Sequence, residues 1–144
     1  LSNCLVKFSK CCSPVPGDEI VGFITRGYGV SVHRKDCPNA DPARRPPEEV
    51  GRWIKVSWAD NTREDYRTTL EVVAKDRLNL IMDISTVLSS TKTRVTNLSA
   101  RSTSDGFALI TIEVGVADSE QLCTVRRRLE QVSGIMRVTR PAGK

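Results

Sequence analysis

The chain has 144 residues, 39% of them hydrophobic and 27% charged, with a formal net charge of +5. No apolar run reaches the roughly 18 residues that a membrane-spanning helix requires, and the start lacks the basic-then-apolar order of a secretory signal. These features exclude a helical membrane protein and a signal-bearing precursor. We therefore expect a cytoplasmic protein with no membrane partner and, because the first residue is Leu1, a piece of a longer chain.

The basic excess is not spread evenly along the chain. Residues 1–66 hold ten Lys and Arg against nine Asp and Glu, whereas residues 67–144 hold twelve against eight. Five cysteines are an odd number, which is not typical of a fully paired disulfide framework. Clustered thiols in a reducing compartment indicate a metal site more often than a disulfide.

A β-hairpin is predicted early in the first region. Its strands fall at about residues 20–25 and 30–33, and a glycine-flanked turn joins them. Residues 39–51 hold three of the seven prolines and predict a loop. The alternation of RWIKVSW, residues 52–58, then predicts a strand that returns to the same domain.

A polar run at residues 59–65 marks the predicted domain boundary. We therefore expect a small β-rich domain over residues 1–66 and a second domain over residues 67–144. The whole chain is predicted to be α+β, with a ferredoxin-like second domain.

The second region predicts the order strand, helix, strand, strand, helix, strand, which is the βαββαβ arrangement with both helices on one face of an antiparallel sheet. The predicted elements lie at residues 68–75, 78–90, 94–102, 107–117, 118–132 and 135–140. Asp118 or Ser119 is the expected N-cap of the second helix. The apolar positions expected to face inward are Leu70, Val72, Ala74, Leu80, Ile81, Ile84, Val87, Leu88, Leu122, Val125, Leu129 and Val132.

The other face of this predicted sheet is too polar to be a second core. It would carry Thr69, Glu71, Thr111 and Glu113. Such a face is either solvated or paired with another polar surface.

One cluster in the first region could carry metal chemistry. The adjacent Cys11 and Cys12 precede the hairpin, His33 ends its second strand and Cys37 follows, so the hairpin would bring the four side chains together. Three thiolates and one imidazole match a closed, structural Zn²⁺ site. Neighbouring residues in a strand point to opposite faces and cannot share one ion. The Pro-rich turn after Cys12 is therefore expected to take the two cysteines out of a regular strand.

Two other interpretations of the cysteines stay open. They could be ordinary buried thiols, or Cys11 and Cys12 could form a strained vicinal disulfide. Cys4 is a substitute ligand, and Cys123 lies off the apolar stripe of its helix. A thiol-redox module is the remaining enzymatic alternative, although adjacent cysteines lack the usual CxxC spacing.

Two groups of basic residues are candidate contacts for an acidic partner. Lys7, Lys10, Arg26, Arg34 and Lys35 form the local patch in the first domain. Arg126, Arg127 and Arg128, with Arg137 and Arg140, cover much of the last helix and strand. Either group could be a solvated face or a contact to RNA or an acidic protein.

No catalytic constellation is evident. His33 is the only histidine, so a metal-bound His33 leaves no imidazole as a general base. Asp76 and Asp83 have no glycine loop beside them that could cradle a phosphate. We therefore expect this region not to be an enzyme.

The segment KCCSPVPGDEIVGFITRGYGVSVHRKDCPN, residues 10–39, resembles the zinc-finger or conserved-cysteine domain of long RelA/SpoT (Rel) proteins. Residues 67–140, with VVAKDRLNLIMDIS after the first strand, are similar to the ACT domain that ends those proteins. The two resemblances together cover almost the entire chain.

The resemblance implies the regulatory C-terminal region of a stringent-response enzyme that makes, and often hydrolyses, guanosine tetra- and pentaphosphate. It implies docking on ribosomal RNA near uncharged tRNA, and control of distant catalytic domains. The positions that match the family's metal cluster are Cys11, Cys12, His33 and Cys37. Tyr28 stands where the family commonly has a basic residue.

An amino-acid sensor and dimerisation module is the alternative that the ACT resemblance implies. A branched-chain amino acid would bind where the turn from Asp76 to Ile81 meets a second copy of the chain. The residues expected to line that site are Asp76, Asn79, Leu80, Ile81 and Arg94. Asn79 replaces a common glycine and Arg94 replaces a common Asn, so the chain departs from the amino-acid-binding pattern at both positions.

Overall fold

The computed structural model describes residues 6–27, 29–58 and 66–141. These residues form two compact units, and each unit contains its own four-stranded sheet. Cys4, Tyr28 and the predicted boundary segment 59–65 lie outside the described residues. Among the described residues, no helix is both long enough and apolar enough to cross a bilayer.

The first unit contains the predicted hairpin and two additional strands. Its strands are β1 (Val6–Phe8), β2 (Ile20–Thr25), β3 (Gly29–Arg34) and β4 (Trp53–Ile54). They lie in the order β1-β3-β2-β4. The hairpin strands begin and end within one residue of the prediction, whereas the short β1, which runs parallel to β3, was not predicted.

The proline-rich loop is organised as three short 3-10 turns, Pro38–Ala40, Pro42–Arg44 and Pro47–Arg52. It leads directly into β4, which pairs with β2 through two residues only, so the returning strand is shorter than predicted. Gly22 allows this approach: a Cβ there would lie 2.8 Å from Val56 Cγ1 and 2.9 Å from Val30 Cγ1.

The two faces of this sheet differ in chemistry. One face buries Ile20, Val30 and Val32, against which several apolar side chains pack. These side chains are Phe8, Ile54, Val56 and Trp58. Phe23 and Trp53, which are direct partners across β2 and β4, lie on the opposite face and are partly exposed.

The second unit has the predicted βαββαβ order. Its elements are β5 (Tyr66–Lys75), α1 (Leu80–Ser90), β6 (Arg94–Ser102), β7 (Phe107–Val116), α2 (Ser119–Glu130) and β8 (Ile135–Thr139). The strand order is β6-β7-β5-β8, and all three pairings are antiparallel. The ferredoxin-like α+β prediction is therefore confirmed.

Both helices cover the same face of this sheet. Leu70, Val72 and Ala74 of β5 are each at most 1% exposed, as the alternation predicted. The apolar stripes of the helices supply six more buried side chains, which are Leu80, Ile84, Leu88, Leu122, Val125 and Leu129. Asp118 is the N-cap of α2, since its carboxylate accepts a hydrogen bond from the amide of Gln121 at 2.8 Å.

The predicted inward set was wrong at Ile81 and only partly right at Val87 and Val132. Ile81 is 37% exposed, because it lies about 100° around the helix from Leu80 and leaves the arc that faces the sheet. Val87 and Val132 are half-buried. On the opposite sheet face, Glu71 and Thr111 are exposed, in agreement with the prediction of a polar surface.

Candidate metal centre

A helical turn, not a strand, presents the two adjacent cysteines. The amide of Ser13 donates to the carbonyl of Ser9 at 2.8 Å, which closes a turn around Cys11 and Cys12. Successive side chains in such a turn are about 100° apart, so neighbouring thiols can face one point. The turn that lets both thiols face one point therefore contains the two cysteines themselves. The sequence had instead predicted, from the prolines, a turn that follows Cys12. Ser13 leaves the observed turn at a positive φ of 46°.

The hairpin supplies the other two side chains. His33 lies near the end of β3, opposite Val21 of β2. The chain then turns tightly, since the amide of Cys37 donates to the carbonyl of Arg34 at 3.0 Å. This turn returns the Cys37 side chain toward the end of the sheet at which His33 lies.

The four potential ligand atoms all lie within 4.8 Å of one another. Cys11 Sγ is 3.9 Å from Cys12 Sγ and 3.6 Å from Cys37 Sγ. His33 Nδ1 is 3.4 Å from Cys11 Sγ and 3.8 Å from Cys12 Sγ. A tetrahedral zinc ion with ordinary bond lengths would require edges of about 3.8 Å between sulfurs and about 3.6 Å between sulfur and nitrogen. The cluster can therefore hold a tetrahedral metal ion.

Burial shifts the pKa of three of these side chains, Cys12, His33 and Cys37. It raises the pKa of the Cys12 thiol, and the amide of Arg34, which donates to Cys12 Sγ at 3.3 Å, acts in the opposite direction. Burial likewise raises the pKa of Cys37 and lowers the pKa of His33. The lowered pKa favours the neutral imidazole, which is the metal-binding form, whereas the buried Cys12 and Cys37 thiols need a nearby cation to become thiolates.

The geometry separates this cluster from the other described cysteine. Cys12 and Cys37 are 2% and 1% exposed, whereas Cys123 on α2 is exposed. All four described cysteines are free thiols, so the described residues do not contain the vicinal disulfide between Cys11 and Cys12.

The predicted RNA-contacting residues do not form one patch. Lys10 and Lys35 are exposed at the metal end of the sheet, and Lys7 is exposed on β1. Arg26 is exposed in the hairpin turn at the opposite end, about 20 Å away along a six-residue strand. Arg34 is only 5% exposed, and its Nε lies 3.2 Å from Oδ1 of Asp36.

The buried position of Arg34 was not predicted. It follows from the alternation of β3, in which Val30, Val32 and Arg34 share the buried face. A side chain buried there supports the fold and is not available to an external partner.

A second candidate site is a cavity of about 360 Å³ in the second unit, between the start of α1 and β6. It is lined by four of the five predicted ligand residues, Asp76, Asn79, Leu80 and Ile81. Asn79 takes the left-handed conformation, with φ of 66°, that glycine commonly supplies. Arg94 does not line this cavity, because it begins β6 while Ala100, Arg101 and Ser102 at the other end of that strand form the wall.

The sequence analysis missed one cluster, on the exposed face of the first sheet. Arg45 packs on the ring of Trp53 and Arg52 packs on the ring of Phe23. Trp53 and Phe23 are themselves in contact, with ring centroids 4.7 Å apart. The alternation of residues 53–58 already placed the aromatic Trp53 on the same face as the charged Lys55. That pattern is the sequence signal that could have indicated an exposed aromatic cluster.

Two family models match adjacent parts of the chain. A model described as the RelA/SpoT RIS domain matches residues 1–59. A model described as an ACT domain matches residues 62–140, which is more than half of the chain. The two matches divide the chain near the segment that separates its two compact units.

The chain is also similar to longer curated proteins. It is 39% identical over 97% of its length to a GTP pyrophosphokinase of Myxococcus xanthus, of which it covers 18%. It is 35% identical over 94% of its length to the bifunctional (p)ppGpp synthase/hydrolase RelA of Mycobacterium tuberculosis, of which it also covers 18%. The chain therefore spans less than a fifth of the length of these relatives.

Among solved structures, the ACT domain from the GTP pyrophosphokinase of Chlorobium tepidum is similar to this chain. The similarity has a TM-score of 0.48 at 22% identity and covers 53% of this chain and 97% of that domain.

Proposed function

The chain belongs to the RelA/SpoT family, with a RIS domain followed by an ACT domain, and from that membership we propose that it binds the ribosome and controls distant catalytic domains. In this proposal the longer protein makes or hydrolyses guanosine tetra- and pentaphosphate in the stringent response. The partners of this region are ribosomal RNA, uncharged tRNA and the catalytic domains of the same protein. The protein acts in the cytoplasm, where the thiols stay reduced.

Zn²⁺ is the proposed ion of the metal centre. The observation that supports it is the set of three sulfurs and one nitrogen at tetrahedral separations, with no carboxylate among them. Cys11, Cys12, His33 and Cys37 would hold the ion, and the full set of four leaves no position open for a substrate. The bound ion would cross-link the turn, the hairpin and the proline-rich loop, which is a structural role.

Three exposed lysines support ribosome binding by the first domain. Lys10 and Lys35 lie beside the metal centre, and Lys7 lies on the adjacent strand. Contacts between cations and phosphates release counterions, so affinity should fall steeply as the salt concentration rises. Arg26 would act separately, at the hairpin turn.

The test is binding of the full 144-residue chain to purified bacterial ribosomes across a series of salt concentrations. We expect measurable binding at low salt and a shallower salt dependence for Lys35→Ala and Lys10→Ala. Glu19→Gln, which removes an exposed acidic side chain from the same domain, is the matched control and should not weaken binding. An absence of binding at low salt would contradict the proposal.

The cavity in the second unit favours the sensor alternative. Asp76, Asn79, Leu80 and Ile81 combine polar and apolar walls, as an amino acid would require. Asp76 is already engaged, because its Oδ2 accepts a hydrogen bond from the Ser102 hydroxyl at 2.7 Å. A ligand amine would therefore need the remaining carboxylate oxygen or the backbone groups of the turn.

Calorimetry with valine, isoleucine and leucine tests this second function, at protein concentrations high enough for two copies to associate. Saturable heat that is lost in Leu80→Ala but kept in Arg94→Ala would support the site in this cavity. Heat that depends on Arg94 and not on Leu80 would contradict it.

We also propose that the second domain begins at Tyr66, one residue before the predicted boundary between residues 66 and 67. Tyr66 begins β5, which pairs with β7 and β8 of the second unit, so a fragment that starts at Tyr66 should keep the whole second sheet.

The thiol-redox alternative predicts reversible oxidation of Cys11 and Cys12 with catalytic turnover. We expect no turnover.

A further inference from the structure

One face of the first sheet carries stacked arginines and aromatic rings. The guanidinium carbon of Arg45 lies 4.4 Å from the ring centroid of Trp53, and that of Arg52 lies 4.6 Å from the centroid of Phe23. The two rings are also in contact, tilted by 51° to each other, so the four side chains form one continuous cluster. We call these four residues, Phe23, Arg45, Arg52 and Trp53, the arginine–aromatic face.

The same face extends across the sheet toward a lysine. Strand pairing aligns Trp53 with Phe23, Phe23 with Ser31, and Ser31 with Lys7, and directly paired residues lie on the same face of a sheet. The two rings therefore have Arg45 and Arg52 packed on them and Lys7 farther along the same face of the sheet. This is an arrangement of π-surfaces and positive charge on one side of the domain.

The two guanidinium groups have donors to spare. Arg45 donates from Nη2 to the carbonyl of Ala40, and Arg52 donates from Nε to the carbonyl of Ile24. Within the described part of the chain, neither has a carboxylate at ion-pair distance, and Nε of Arg45 is buried with no hydrogen-bond partner. Each guanidinium carries five N–H donors; because Nε of Arg45 is buried and Nε of Arg52 is engaged, the donors left for an external anion are those on the Nη atoms.

The metal centre adjoins this face. The His33 ring lies 5.7 Å from the Trp53 ring, and Trp53 packs against the buried cluster of Cys12, Cys37 and Ala40. The carbonyl that anchors Arg45 belongs to Ala40 in that cluster. The position of Trp53 and Arg45 thus depends on the segment that the four metal ligands would fix.

From these contacts we propose that the arginine–aromatic face binds the phosphate backbone of RNA, with Arg45 and Arg52 each held by its aromatic ring to receive one phosphate group. Stacking restricts each guanidinium to one plane and leaves an edge of the planar fork for an anion, and that fork matches phosphate oxygens bidentately. Exposed parts of the rings can also stack on an unpaired base.

This inference rests on the proposed ribosome binding and names the residues that carry it. It also differs from the contacts proposed for the exposed lysines, because it predicts that the geometry of the arginine matters in addition to its charge. Lysine at position 45 or 52 would keep the charge but lose the planar stack and the fork.

The test measures binding of the full chain to purified ribosomes and to protein-free ribosomal RNA, each over a series of salt concentrations. The variants are Arg45→Gln, Arg45→Lys and Arg52→Gln. Arg44→Gln is the matched control, because Arg44 is exposed next to Arg45, and neither a stacking ring nor an ion pair is found for it among the described residues of the first unit. Metal content and circular dichroism show whether each variant keeps its fold.

We expect Arg45→Gln and Arg52→Gln to weaken binding to both probes by about tenfold each. Each should reduce the slope of log affinity against log salt by roughly 0.7 to 0.9, the value for one lost phosphate contact. Arg45→Lys should also bind more weakly than the wild type, and Arg44→Gln should change neither quantity by more than about twofold.

Three results would overturn the inference. Equal losses for Arg44→Gln and Arg45→Gln would mean that only overall charge matters. Weaker binding to ribosomes with unchanged binding to protein-free RNA would assign the face to an acidic protein. Normal binding of all variants would leave ribosome binding intact but refute this face, whereas a wild-type chain that binds neither probe would refute the proposed function itself.

Discussion

The backbone amide of Arg34 donates a hydrogen bond to Cys12 Sγ at 3.3 Å, while the side chain of the same arginine is buried. A backbone donor to sulfur stabilises negative charge on that sulfur and orients it, as outer-shell hydrogen bonds do at metal sites. Arg34 therefore belongs to the support of the metal centre and not to the outer surface of the domain.

Replacing Arg34 with Ala should preserve the metal centre but weaken the fold. The hydrogen bond to Cys12 comes from the backbone and survives, whereas the buried side chain is lost, so the free energy of unfolding should fall by about 1–3 kcal/mol. Chemical unfolding and metal analysis measure the two effects. Lys35→Ala, at an exposed neighbouring site, should stay within about 0.5 kcal/mol of the wild type. A metal-free Arg34→Ala would contradict this role.

Two isoleucines of α1 should respond very differently to truncation. Ile84 is fully buried against the sheet, whereas Ile81 is 37% exposed at the rim of the cavity. Ile84→Ala should lower the free energy of unfolding by about 2–5 kcal/mol, because it removes buried methyl groups and leaves a cavity. Ile81→Ala should cost less than about 1 kcal/mol. Urea denaturation compares them, and similar losses would refute the observed helix orientation.

The left-handed backbone of Asn79 gives a prediction about the start of α1. Its φ of 66° is accessible to Asn and Gly but strained for Ala. Asn79→Ala should therefore lower the free energy of unfolding by about 1 kcal/mol, whereas Asn79→Gly should be close to neutral. Asn97→Ala, at an exposed position in β6, controls for the loss of the amide side chain. Equal effects of Ala and Gly at position 79 would contradict the left-handed conformation.

The second domain was predictable because its elements are long and its apolar spacing is regular. The alternation of Leu70, Val72 and Ala74 indicated the face of β5 as well as its extent. Ile81 was wrongly predicted to face inward because it lies beside the apolar Leu80 and Ile84. The sequence alone does not show which of these adjacent apolar side chains the sheet buries.

Non-local pairings limited the predictions in the first domain. Strand β1 has only three residues and gains its conformation by pairing with β3, so its own sequence carries little signal. The stack of Arg45 on Trp53 depends on how the proline-rich loop folds back over β4. The cluster of Cys11, Cys12, His33 and Cys37 was predictable because a hairpin between the two pairs brings them together, whichever turn presents the cysteines.

The metal content of the purified chain tests the central claim most directly. Protein prepared without added metal should contain about one zinc ion per chain, and Cys12→Ser and His33→Ala should each lose it, while Cys123→Ser, at an exposed position, should keep it. Such sites supply roughly 10 kcal/mol or more of apparent binding free energy, so the two ligand variants should also lose the fold of the first domain. A well-folded wild-type chain with no metal would contradict a structural zinc site at Cys11, Cys12, His33 and Cys37.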